Sequence, residues 1–163
     1  MESLREHMHE YRKMLEKGHV QEAYMGLMDY IGDLRTYLKN KYPEYSLSGI
    51  YQGYMDMTYF SFTPDSLKSL KLKIDVVFIY DTFKFEVWLA GSNKNVQKEY
   101  WELLKKGGLQ KYHLPSDIKG IDFIVENVLV ENPDFGDLDI LTEEIEDGTT
   151  KFIGDVVEFL SND

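Results

Sequence analysis

Two spacings of apolar residues divide the chain, and each predicts its own kind of element. Leu4, Met8, Tyr11 and Leu15 recur at i, i+4, i+7 and i+11, the single stripe of an amphipathic helix. Gly18 interrupts that stripe and is a natural C-terminal stop. Val20, Tyr24, Leu27, Ile31, Leu34 and Leu38 then alternate steps of four and three, a heptad-like seam that Pro43 ends. So short a connection predicts an antiparallel helix pair over about residues 2–42.

A period of two follows. Tyr54 to Phe62 reads as a strand, and Thr63-Pro64 reads as the N-cap and first residue of a short helix. In the segment Leu72 to Tyr80, the residues Leu72, Ile74, Val76, Phe78 and Tyr80 form one face. Phe83, Phe85, Val87 and Leu89 form one face of the next strand, with Asp81-Thr82 as the turn of a hairpin. Ser92 or Asn93 caps a third helix carrying Val96, Tyr100, Leu103 and Leu104, closed by Gly107-Gly108. Ile121, Phe123, Val125 and Leu129 suggest a fourth strand, although Ile124, Val128 and Val130 leave a helix open there. The last helix runs from about Leu138 to Leu160, with Gly148 as the place where it would split.

These elements predict an α+β fold: an N-terminal antiparallel helix pair, a mainly antiparallel sheet of about four strands, and helices packed on it. The sheet and its helices occupy about residues 45–131, and a long acidic helix about 137–161, within a single expected domain, 1–163.

Composition supports a folded chain, since 43% of 163 residues are hydrophobic, enough to bury a core. The formal net charge of −11 argues against phosphate backbones and anionic membranes as partners. That charge is unevenly placed. Residues 117–163 hold 14 acids and two bases, Lys119 and Lys151, and the remainder is nearly neutral. Ile145, Phe152, Ile153, Val156 and Phe159 run through the acidic segment, so it is expected to fold with an acidic outer face suited to a basic partner. The absence of cysteine removes disulfides and thiol chemistry, and no apolar run approaches a signal or membrane segment. A cytoplasmic location without membrane attachment is expected.

Motifs for chemistry are sparse. His7 and His9 are two apart on a helix, His19 and His113 stand alone, and Asp134, Asp137 and Asp139 do not follow the spacing of a calcium loop. Neither a phosphate-binding glycine loop nor a serine elbow is present. No metal, cofactor or catalytic residue is therefore assigned, and the balance leans against an enzyme. Asp75 and Glu86 on adjacent strands would suit a nuclease, but Trp88 stands where the lysine would be required. Both acids are read as lying on the solvent face of the hairpin. Lys94, Lys98, Lys105, Lys106 and Lys111 read as a solvated helix face, diluted by Glu99 and Glu102.

The strongest local feature is the tyrosine-rich strand. Tyr51, Tyr54, Asp56 and Tyr59, with Glu86 and Trp88 sharing the sheet, form the candidate ligand-binding set. The principal reading is a non-enzymatic module that binds a protein or a small ligand through this surface, which also admits a homodimer. The alternative is an enzyme or ligand pocket around Asp56, which requires that carboxyl to be buried among the rings.

The segments YQGYMDMTYFSFTPDSLK, KLKIDVVF, FEVWLAGSNKNVQKEYWELL and VENPDFGDLDILTEEIE together resemble a bacterial and archaeal family of stand-alone proteins of about this length, catalogued as a domain of unknown function. The resemblance spans nearly the whole chain and implies a complete single-domain protein. It brings no catalytic residue with it.

Overall fold

Ser3 opens the first helix with a capping box. Its hydroxyl accepts the Glu6 N–H at 3.3 Å, and the Glu6 carboxylate accepts the Ser3 N–H at 2.6 Å. In the computed structural model, which describes residues 1, 3–109 and 111–161, this helix is α1 (Leu4–Lys17). Glu2, the expected start of the helix pair, and Asp163, counted in the acidic segment, lie outside the described residues. Gly18 stops α1 in the left-handed conformation, φ 79°, and α2 (His19–Lys41) begins at once.

The sheet contains β1 (Ser46–Leu47), β2 (Met57–Thr63), β3 (Leu72–Ile79), β4 (Lys84–Gly91) and β5 (Val125–Glu131). All neighbours are antiparallel and the order follows the chain, β1-β2-β3-β4-β5, a meander. The expected α+β architecture is therefore observed, with a two-residue fifth strand added at the edge. Two expected boundaries move. β2 starts at Met57 rather than Tyr54, because Met55 adopts a positive φ of 62° that breaks the extended backbone. Thr63 is the last residue of β2, its hydroxyl accepting the Ile74 N–H at 3.1 Å, and Pro64 caps the short α3 (Asp65–Lys68).

Asn93 caps α4 (Lys94–Gly107), its side chain accepting the Val96 N–H at 2.9 Å. Between Ile121 and Glu131 the strand form prevails, but only from Val125 onward. The outer edge of β5 is engaged by an isolated bridge to His113. The helix α5 (Leu138–Ser161) runs unbroken through Gly148. A Cβ there would stand 2.6 Å from Leu129 Cδ2, so glycine lets α5 lie close against β5. Among the described residues no helix is long and apolar enough to cross a membrane.

Register decides which face is the core. Ile74, Val76 and Phe78 of β3 point with Phe60, Phe62, Phe85, Val87 and Leu89 toward the helices. There they meet Tyr30, Ile31, Leu34 and Leu38 of α2, Leu104 of α4, and Leu141, Ile145, Phe152, Ile153 and Val156 of α5. The opposite face carries Tyr59, Ser61, Lys73, Asp75, Val77, Glu86 and Trp88, of which Asp75, Val77, Glu86 and Trp88 are buried. By contrast, α1 contributes no buried residue: Leu4, Met8 and Tyr11 of its stripe are all exposed.

Candidate functional site

The segment before β2 folds back on the strand. Tyr51 and Tyr59 exchange backbone hydrogen bonds at 2.8 and 3.0 Å, and their rings stand 5.1 Å apart. The return depends on Gly53, where φ is +73° and a Cβ would meet Met57 O at 2.0 Å. Asp56 closes the turn, its Oδ1 accepting the Tyr54 N–H at 2.9 Å. The N–H groups of Tyr54 and Met57 hold its carboxyl below the ordinary aspartate value. Tyr54 is 91% exposed and Asp56 is exposed beside it, so the burial that the Asp56 pocket requires is not present. The structure thus separates the candidate residues. Tyr54 and Asp56 sit on a solvated turn, whereas Tyr51, Tyr59, Glu86 and Trp88 share the face of the sheet opposite to the core.

Asp75 lies at the centre of that face, opposite Ser61 on β2 and Trp88 on β4. It is 3% exposed, contrary to the solvated position read from the sequence, because strands on both sides and their side chains enclose it. Its Oδ2 faces Lys73 Nζ at 3.6 Å, and Oδ1 has no hydrogen-bond partner. Burial pushes the carboxyl up to about 6, against the pull of Lys73.

Glu86 is buried as well. Trp88 Nε1 donates to its Oε1 at 3.0 Å, and the Trp88 ring packs 5.1 Å from Phe123. Burial, then the neighbouring Glu126 carboxylate, pushes Glu86 up to about 7. Glu126 in turn pairs with His113 Nδ1 at 2.7 Å. Among the described residues no group of three or more His, Asp or Glu side chains is arranged to hold a metal.

A recess of about 540 Å³ opens at one end of the sheet, between the N-terminal half of α2 and the β3–β4 hairpin. Leu27 and Tyr30 of α2, Phe78 and Phe83 of the hairpin, and Phe135 line it. Phe78 contacts Phe83 edge-on at 5.1 Å, and Phe135 lies 6.0 Å from Tyr30 and 6.5 Å from Phe78. Polar atoms meet at one corner. The Tyr80 hydroxyl is 2.7 Å from Thr58 Oγ1, which donates to Gln52 O at 2.6 Å, and the Tyr24 hydroxyl lies beside that of Tyr80. None of the recess residues was singled out as a site from the sequence. The legible signal was Phe83 and Phe135, large apolar rings in turns, where polar residues are usual.

A second recess, between α2 and α5, is acidic and includes Asp33, Asp139, Glu143 and Asp147. Glu146 ties its two helices together. It accepts hydrogen bonds from Tyr37 and Tyr42 at 2.8 and 2.6 Å and pairs with Lys41 at 2.7 Å. Burial raises this carboxyl, but the three donors outweigh that and hold it below its ordinary value.

No curated protein and no solved structure matches the chain. Residues 4–160, nearly its whole length, match the family described as Domain of unknown function (DUF7000), and the chain belongs to that family.

Proposed function

We propose that the chain is a non-enzymatic binding module whose ligand is a small apolar molecule carrying one hydroxyl or carbonyl group. The recess between α2 and the β3–β4 hairpin carries this reading. Its volume of about 540 Å³ falls in the range of small-molecule sites, and its walls are aromatic and aliphatic. The Tyr24 and Tyr80 hydroxyls supply a single polar corner that can orient a ligand. Among the lining residues Glu22 is the one carboxylate, an arrangement suited to holding a molecule rather than to moving protons within it.

The hydrophobic dye N-phenyl-1-naphthylamine tests the proposal. It is expected to bind with a saturable rise in fluorescence and to be displaced by 1-octanol. Gly26→Leu should block it, because Gly26 lines the recess and a Cβ there enters open space. The same change replaces a mid-helix glycine, so the fold should be retained or strengthened by about 0.5–1 kcal/mol. Absence of saturable binding by the unaltered chain, or undiminished binding by a folded Gly26→Leu variant, would overturn the proposal.

A further inference from the structure

The face of the sheet opposite to the core, away from Phe78 of the recess, has the chemistry of a cation receptor. The Asp75 side chain is 4% exposed, yet its Oδ1 has no hydrogen-bond partner. Buried carboxylate oxygens are normally satisfied, so a vacant one is an acceptor awaiting a donor. The other oxygen is only partly served. At 3.6 Å, Lys73 Nζ neutralises Oδ2 but is too distant for a good hydrogen bond.

That lysine also shows what the site selects. Its ammonium stands 5.5 Å from the centre of the Tyr59 ring while facing the carboxylate. An aromatic face and a desolvated carboxylate are the two elements by which proteins recognise alkylammonium and guanidinium ions. Trp88 of β4 is directly opposite Asp75, and Tyr59 of β2, opposite Val77, is its diagonal neighbour on the other side. Trp88 is fixed there by its hydrogen bond to Glu86 and by packing on Phe123.

We infer that this face binds a small organic cation, an alkylammonium or guanidinium, over Tyr59 and beside Trp88, with Asp75 as its carboxylate. Lys73 is the internal cation that the guest displaces. Its side chain is 38% exposed, so the displaced ammonium has solvent to move into when the guest enters.

Titration with n-butylammonium and methylguanidinium chlorides, followed through the Trp88 indole N–H resonance, tests the inference, with sodium chloride at equal ionic strength as control. Saturable shifts are expected with at least one organic cation and not with sodium. Lys73→Ala should tighten binding by about tenfold, since the competitor is gone. Asp75→Asn should abolish binding, and Tyr59→Leu should weaken it by about fivefold while leaving the carboxylate in place. Shifts that match those in sodium chloride would overturn the inference, as would affinity unchanged in Asp75→Asn or lowered in Lys73→Ala.

Discussion

Asp75 is a carboxyl kept where water is scarce, and the cost is measurable. Its folded-state value of about 6 lies above the ordinary aspartate value of about 3.9, so the unfolded chain ionises first as pH rises. Stability from this group is complete below about pH 4, falls between about pH 4 and 6, and is level above that. The loss is of the order of 3 kcal/mol. Glu86 acts in the same direction and extends the decline toward pH 7. Asp75→Asn should therefore be more stable than the unaltered chain at pH 7, by up to about 3 kcal/mol, and nearly equal to it at pH 4. Urea unfolding at a series of pH values measures the difference. A constant gap across that range would show that the carboxyl does not titrate as its burial requires. The sequence concealed this. Lys73, Asp75 and Glu86 alternate with core residues and so look solvated, but Val77, Trp88 and Ala90 share their face and are buried. Counting apolar residues on both faces of the hairpin would have marked it as enclosed. Asp56 misled in the opposite sense, since tyrosines nearby in sequence do not enclose a residue that sits in a turn.

Among the elements, the two N-terminal helices have the same kind of apolar stripe and opposite fates. Leu34 of α2 is 1% exposed and Leu4 of α1 is 76% exposed. Leu34→Ala should cost about 2–5 kcal/mol, whereas Leu4→Ala should stay within about 0.5 kcal/mol. Denaturant midpoints distinguish the two, and equal costs would mean that α1 is packed in solution. Periodicity located both helices because it reports which residues share a face. It is silent on whether another element arrives to cover that face. The α2 seam shows the same limit within one helix. Ile31, Leu34 and Leu38 are buried in the core, while Tyr24 and Leu27 line the recess together with Phe83 and Phe135. The hairpin of β3 and β4, whose alternation is strong and whose turn is short, was legible nearly to the residue.

For the whole molecule the governing quantity is the charge crowded into residues 117–163. Asp139, Glu143, Glu144, Asp147 and Glu158 all lie exposed on α5, whose last turn contains no basic residue to meet the helix dipole. Ion pairs relieve only part of this repulsion, through Lys111 and Lys151 on Asp155 and Lys41 on Glu146. Raising sodium chloride from about 0.05 M to about 0.5 M should therefore raise the unfolding temperature, by screening like charges within and around α5. A fall would mean that the ion pairs outweigh the repulsion. The borders of the meander have a consequence of another kind. At one side β1 offers only two residues, and at the other Glu126 is already engaged by His113, with Glu126 and Glu131 adding like charges along the strand. Neither side presents a long neutral ladder of open amides and carbonyls on which a further chain could template. Short, bridged and charged borders of this kind hinder strand addition to a sheet this rich in aromatic and β-branched residues.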